Sequence, residues 1–172
     1  FTQLALARAC LPIIAEDLGY ITSDVHEMMD HFGFPGMRVL MFGFSGDISH
    51  NPHAPHNVVS DCITYTGTHD NNTIRGWFEH EITGGQRELI FQYVGRPFDP
   101  DQAHWILIRM AMISPAETVI IPMQDILGLG EEARMNRPGT GEGNWEWRAR
   151  PEEIEEQAIL EFSEMTRLYG RM

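Results

Sequence analysis

Four short, continuous apolar runs recur along the chain, and turn-forming residues bound each of them. The runs cover residues 13–15, 37–44, 62–66 and 118–123. Runs of this kind are typical of strands that are buried on both faces of a parallel sheet. The pattern therefore predicts four parallel strands.

Helical patterns lie between the runs. Residues 1–10 are interpreted as the end of a helix that Pro12 stops. Thr22 or Ser23 is placed to cap a helix that ends at Gly33. The remaining predicted helices cover about 84–94, the segment from Asp99-Pro100 to about Ile113, and a last segment opened by Pro151 and followed by Gly170. Because strands and helices alternate about four times, we predict one domain of the α/β class.

The length of the chain sets a limit on this fold. At 172 residues it is too short for a whole (β/α)8 barrel, which typically needs about 250 residues.

The chain carries 12 Lys and Arg against 25 Asp and Glu, a net charge of −13. This acidity disfavours nucleic acid and anionic membranes as partners, and is compatible with a neutral ligand such as a sugar.

The cysteines and the ends of the chain bear on its location. Cys10 and Cys62 have apolar neighbours, so we expect two buried free thiols in a reducing compartment. No run reaches the ~20 apolar residues of a membrane span, and no signal-peptide pattern is present. The chain opens on Phe1 inside a helical pattern, which suggests a fragment or a processed product. We expect a cytoplasmic protein, or a plastid protein if the source is a plant.

Acidic residues follow three of the four predicted strands. These pairs are Glu16-Asp17, His69-Asp70 and Gln124-Asp125. In parallel α/β folds the carboxyl ends of strands converge on one cleft, where chemistry is built. Each acid could instead only cap the following loop or helix. Three acids at equivalent strand ends favour convergence, because capping predicts no such regularity.

Converging carboxylates suit the cleavage of a glycosidic bond. One carboxyl group protonates the leaving oxygen, and another attacks the anomeric carbon or activates water. The acid must stay protonated near neutral pH, which burial or a nearby like charge achieves. Glu16 follows an apolar run and directly precedes Asp17. We therefore take it as the candidate acid.

Other chemistries find less support in the motifs. Ser45 lacks the second glycine of a nucleophile elbow, and neither glycine-rich stretch is followed by the Lys-Ser/Thr of a phosphate-binding loop. His50, His53 and His56 are three residues apart, but intervening prolines prevent the helix that would align them as metal ligands. We predict polar loop residues there rather than a metal site.

Several motifs in order carry a closer resemblance. They are Ala-Glu-Asp-Leu-Gly at 15–19, Phe-Pro-Gly-Met at 34–37, the segment 51–57, Tyr-Thr-Gly-Thr-His-Asp-Asn-Asn-Thr at 65–73, Gln-Asp-Ile-Leu-Gly at 124–128, and the segments 132–139 and 143–148. In these residues the chain resembles the 4-α-glucanotransferases, or amylomaltases, of glycoside hydrolase family 77. The resemblance covers nearly the whole chain.

The resemblance implies roles for individual residues. Glu16 corresponds to the general acid/base at the end of the fifth barrel strand. Asp70 corresponds to the carboxylate that stabilises the transition state, and His69 to a contact with sugar hydroxyls. Asp17 and Phe42 fall where the family lines its glucan subsites. Asn136 is a further implied substrate contact.

The resemblance also implies what this chain lacks. The family's nucleophile is an Asp in an Arg-x-Asp-His-like segment after the fourth strand, and this sequence has no such segment. We therefore expect residues 1–172 to be strands five to eight of a TIM barrel, the C-terminal half of the catalytic domain.

The implied activity is transfer of α-1,4-glucan segments by retaining double displacement, with no metal or organic cofactor. Two alternatives stay open: an inactive half-barrel that binds glucan, and an α-amylase-type hydrolase. Strands at the two open edges of a half-barrel sheet would also favour self-association.

Overall fold

A small parallel sheet organises the protein. The computed structural model describes residues 13–171. Its three strands lie in the order β1 (Gly36–Val39), β2 (Cys62–Tyr65) and β3 (Thr118–Ile120). Gly36 pairs with Cys62, and Ile63 pairs with Thr118. Parallel pairing brings the carboxyl ends of all three strands to one edge, as the α/β prediction requires.

The first apolar run does not form the predicted fourth strand. Residues 13–15 have no strand pairing within the described part of the chain, although Ala15 N–H donates to the Pro35 carbonyl at 3.0 Å. One hydrogen bond holds this segment beside the start of β1 but does not make a ladder. The prediction of four strands is therefore wrong for the described residues.

The second and fourth runs are longer than the strands they contain. After β1 the chain turns into one 3₁₀ segment, Leu40–Phe44, whose Leu40 and Phe44 are fully buried. A Cβ on Gly43 would lie 2.6 Å from the His53 carbonyl oxygen, so the backbone approaches closely there. In the second run, continuous apolarity thus indicates burial of the turn as well as of the strand. The expected burial on both faces is wrong for β3, because Thr118 and Ile120 are exposed.

Six α-helices accompany the sheet in the described residues. They are α1 (Ser23–Phe32), α2 (Ile74–His80), α3 (Gly84–Val94), α4 (Ala103–Ile113), α5 (Met123–Ile126) and α6 (Glu156–Leu168). The predicted end of α1 at Gly33 is confirmed by its left-handed conformation, φ 63°. None of the helices within 13–171 is long and apolar enough to cross a membrane.

Helix beginnings differ from the sequence prediction at three places. The sequence pattern did not indicate α2, whose N-cap Thr73 accepts a hydrogen bond from Gly76 N–H. The proline-containing turns before α4 and α6 are separate 3₁₀ segments, Pro100–Gln102 and Pro151–Glu153. The side chain of Asp99 makes no capping hydrogen bond there. Proline favours a first turn, but that turn here has 3₁₀ rather than α geometry.

The core lies where the helices cover the sheet. Phe44 from the turn after β1, Phe78 from α2, Ile90 from α3 and Leu107 from α4 are fully buried in one cluster. Cys62 is a buried free thiol at the start of β2, and burial raises the pKa of that thiol. Cys10 and the predicted helix over 1–10 lie outside the described residues.

Asp125 closes the loop that follows β2. Its side chain is 1% exposed. One carboxylate oxygen accepts a hydrogen bond from Thr66 Oγ1 at 2.7 Å, and the other accepts from Ile74 N–H at 2.8 Å. Thr66 directly follows β2, and Ile74 is the first residue of α2. A single carboxylate therefore joins the two ends of the intervening loop.

The same burial makes protein stability depend on the charge of Asp125. Burial raises the pKa of Asp125 to about 6 from its ordinary value of 3.8. A raised pKa in the folded state means that the stabilising contribution is fully present below the unfolded pKa and is lost as pH rises through the folded pKa. The folded state thus carries a growing penalty between about pH 4 and 6.

We predict that Asp125→Asn removes this penalty. Asparagine can accept from Ile74 N–H and donate to Thr66 Oγ1, so both contacts survive. Relative to the unsubstituted protein, the variant's free energy of unfolding should improve by up to about 3 kcal/mol as pH rises from 4 to 7. Urea unfolding at several pH values measures this difference, and the exposed Asp99→Asn is the matched control. A difference that stays constant with pH would contradict the prediction.

Candidate functional site

A cleft of about 390 Å³ opens at the edge where the strands end. Tyr65, the last residue of β2, and Ile120, the last residue of β3, form part of its wall. Glu16, His69 and Asp70 also line it. The structure thus brings three of the predicted site residues to one cleft, from two segments far apart in sequence.

Glu16 presents its carboxylate to the cleft. The side chain is exposed, and it has no hydrogen-bonding partner among residues 13–171. The neighbouring Ala15 is held by the Pro35 carbonyl, which anchors the backbone beside Glu16. The burial that the sequence suggested for Glu16 is therefore wrong for the described residues, and the exposed, unengaged carboxylate is accessible to a ligand in the cleft.

Asp17 is turned away from the cleft. Its side chain is only 3% exposed and forms an ion pair with Arg38 at 2.9 Å. Its Oδ1 accepts a hydrogen bond from Met37 N–H at 2.6 Å. A Cβ on Gly36 would come within 2.4 Å of Asp17 Oδ2, so the tight fit requires glycine. The structure therefore gives Asp17 a role in holding its neighbour Glu16, and the predicted glucan contact stays a prediction.

Asp70 and Asn136 meet across two loops. Asn136 Nδ2 donates to Asp70 Oδ1 at 2.6 Å, and Asn136 N–H donates to the His69 carbonyl at 3.1 Å. His69 Nε2 lies 3.3 Å from the same Asp70 Oδ1. Within the described residues Asp70 Oδ2 has no partner. One carboxylate oxygen is therefore fixed by the protein while the other can bind a ligand hydroxyl.

Phe42 lies outside this cleft. It belongs to the 3₁₀ segment after β1 and is half-buried. Its ring meets His53 edge to face, with 5.6 Å between centroids. It is not among the residues that line the cleft, so the structure does not bring Phe42 together with Glu16 and Asp70.

Asp125 does not join the other acids. The expectation of three converging carboxylates is wrong for this residue, because its oxygens are engaged by Thr66 and Ile74 inside the protein. The alternative, a cap on the following loop or helix, is also wrong for Asp125, because both of its partners precede it in the chain by more than fifty residues. The acids at the strand ends thus divide into those facing the cleft and those facing inward.

The three loop histidines do not converge. His53 Nδ1 accepts a hydrogen bond from Val39 N–H at 3.1 Å, and burial lowers the pKa of His53. His56 contacts the Tyr93 hydroxyl at 3.0 Å, and His50 pairs with Asp47 at 2.9 Å. Among residues 13–171 no group of three His, Cys, Asp or Glu side chains is placed to hold a metal ion.

Trp145 lies beside His69 at the edge of the site. Its ring lies 5.1 Å from that of His69, and it is 50% exposed. Its φ of 64° is unusual for a residue with a side chain. A hydrogen bond from Trp145 N–H to the Met135 carbonyl at 2.6 Å holds this backbone in place. This backbone conformation places the Trp145 ring beside His69.

Comparisons with known proteins place this arrangement in a family. Residues 1–154 match the 4-alpha-glucanotransferase family, glycoside hydrolase family 77. A 4-alpha-glucanotransferase of Synechocystis sp. is 47% identical over 162 residues, which are 94% of this chain and 32% of that protein. One from Clostridium butyricum is 44% identical over 161 residues, 94% of this chain and 33% of that protein.

Solved structures agree with the sequence comparison. The amylomaltase from Streptococcus agalactiae in complex with acarbose superposes with a TM-score of 0.91 and 36% identity, over 98% of this chain and 34% of that one. The chain spans about a third of the length of the curated relatives it matches. On the family match and these relatives together, the chain belongs to the 4-alpha-glucanotransferase family, glycoside hydrolase family 77.

Proposed function

We propose that residues 1–172 are strands five to eight of a (β/α)8 barrel, the C-terminal half of the catalytic domain of a longer 4-α-glucanotransferase. The parallel order β1-β2-β3 and the likeness to one third of an amylomaltase support this assignment. The segment 13–17, which hydrogen-bonds beside β1, would then be the fifth strand, paired more fully in the complete barrel.

The reaction we propose is transfer of an α-1,4-glucan segment with retention of configuration. Glu16 protonates the oxygen of the departing glucan as the C1–O bond breaks. An Asp outside this chain attacks C1 and forms a covalent glucosyl intermediate. Glu16 then takes the proton from the 4-hydroxyl of an acceptor glucan, which displaces the Asp. The observation that carries this proposal is the shared cleft of Glu16 and Asp70.

Asp70 is proposed to stabilise the transition state. Its free Oδ2 would bind ring hydroxyls more strongly as positive charge develops on the sugar. Asn136 holds the other oxygen in place, and the exposed His69 would contact neighbouring hydroxyls. Phe42 is proposed to act at a more distant glucan subsite. Asp17, which the sequence also assigned to a glucan subsite, is proposed instead to hold the Glu16 segment through Arg38 and Met37, and no metal or organic cofactor takes part.

A second function applies to the 172-residue chain by itself. Glu16 and Asp70 are the carboxylates that line the cleft among the described residues, and the sequence has no segment like the family's nucleophile. The isolated chain would therefore bind glucan without turning it over. β1 and β3 are the edge strands of the described sheet, so we propose that it also associates with itself or with the missing half.

Glu16→Gln in the full-length parent tests the acid/base role. Glutamine cannot donate or accept the proton, so disproportionation of maltotriose should fall at least about 100-fold. Glucose release and product chromatography measure it, with Glu27→Gln on the exposed face of α1 as the matched control. Near-normal glucose release from Glu16→Gln would contradict the assignment. Longer oligosaccharides among the wild-type products indicate transfer, and shorter ones alone indicate a hydrolase.

The purified 172-residue chain tests the second function. We predict no turnover of maltotriose at any protein concentration, because the nucleophile is missing. Sedimentation velocity should show association through the open sheet edges. Turnover would demand another nucleophile within this chain, and a monodisperse monomer would contradict the proposed association.

A further inference from the structure

Arg134 lies between the two loops that carry Asp70 and Asn136. Its side chain is 15% exposed, and each of its three guanidinium nitrogens donates a hydrogen bond. Nε donates to the Asn136 carbonyl at 2.8 Å, and Nη2 donates to the Asp70 carbonyl at 2.9 Å. The guanidinium thus joins the backbones of two site residues that are 66 positions apart.

The third nitrogen anchors the guanidinium to α2. Nη1 pairs with Glu81 Oε1 at 2.9 Å, and Glu81 directly follows α2 as its C-cap residue. The same Glu81 oxygen accepts a hydrogen bond from Asn72 Nδ2 at 2.9 Å. Asn72 is only 3% exposed. A buried amide therefore fixes the carboxylate that in turn orients Arg134.

The base of the Arg134 segment is also held against α2. A Cβ on Gly76 would lie 2.9 Å from Glu131 N and 2.5 Å from Asn72 Oδ1. The helix backbone therefore approaches the turn Glu131–Ala133, which directly precedes Arg134. This contact is independent of the guanidinium hydrogen bonds, and it places Arg134 at a defined distance from both loops.

An arginine meets this geometry and a lysine cannot. The guanidinium offers donors in a planar fork, so one side chain reaches three acceptors in fixed directions. An ammonium group is a compact charge on a flexible stem and cannot span both carbonyls and Glu81 together. The charge alone therefore does not account for the arrangement.

We propose that Arg134 is a positioning residue that sets the placement of Asp70 relative to Asn136. This inference rests on the proposed function, in which Asp70 stabilises the transition state. Arg134 does not line the cleft and bonds to the main-chain carbonyl of Asp70 rather than to its carboxylate. It holds the Asp70 and Asn136 backbones so that Asn136 Nδ2 meets Asp70 Oδ1 and Oδ2 stays free for the sugar.

Arg134→Lys in the full-length enzyme tests the proposal. A carboxylate displaced by about 1 Å loses about 100-fold in rate. We expect kcat to fall by that order while KM changes less than about threefold, because the lost interaction belongs to the transition state. The matched control is Arg137→Lys. Arg137 lies in the same loop and is an exposed partner of Glu131; its activity should stay at the wild-type level.

Glu81→Gln supplies a second variant if Arg134→Lys fails to fold. It keeps an acceptor oxygen for Arg134 and removes the charge, so we expect a smaller fall in kcat, about tenfold, at an unchanged melting temperature. In a folded double variant, Arg134→Lys with Glu81→Gln, the free-energy equivalents of the two falls in kcat should not add. Both substitutions act through the same position, the Arg134 guanidinium.

The outcomes separate this inference from the proposed function. Wild-type kcat in Arg134→Lys, or in Glu81→Gln where the lysine variant does not fold, overturns the positioning role. Additive losses in the double variant overturn it too. If Glu16→Gln and Asp70→Asn both retain transfer activity, the proposed function fails instead. If Glu16→Gln and Asp70→Asn lose activity while Arg134→Lys keeps full activity, the proposed function stands. Only the positioning role of Arg134 is then refuted.

Discussion

The loop that carries the candidate site depends on one buried carboxylate. Asp125 accepts hydrogen bonds from Thr66, which directly follows β2, and from the first N–H of α2. These two bonds hold together the ends of the intervening loop, which carries His69 and Asp70. Leaving either donor unpaired in the interior would cost roughly 1–3 kcal/mol. The burial that makes these bonds effective also raises the pKa of Asp125 to about 6. The ionised Asp125 that holds this loop therefore lowers the free energy of unfolding at neutral pH.

The acids near the strand ends have two roles, and the surroundings of each acid determine which role it has. Asp17 and Asp125 lie inward, where backbone N–H groups and Arg38 or Thr66 satisfy them. Glu16 and Asp70 are exposed in the cleft. Asp17 and Asp125 hold in place the segments that carry Glu16 and Asp70. Supporting hydrogen bonds commonly fix functional side chains in this way. Arg134 adds a third support that links the Asp70 loop to Asn136.

Sequence patterns were reliable where local chemistry decides the outcome. The end of α1 at Gly33 followed from the left-handed cap, and the parallel α/β class from apolar runs alternating with helices. They failed at 13–15, because a strand needs a neighbour to pair with and one hydrogen bond to Pro35 is not a ladder. They also missed α2, which is short and begins directly after the site loop.

The sequence by itself determined the family, through ordered motifs, and the identity of Glu16, His69, Asp70 and Asn136 as candidates. Only the tertiary structure decided which acids face the cleft, since Asp17 and Asp125 look equivalent to the others in the linear pattern. It also revealed Arg134, whose acceptors at Asp70, Glu81 and Asn136 are brought together only by folding. The physical reason is that hydrogen bonds and burial depend on neighbours in space, and long-range packing sets those neighbours.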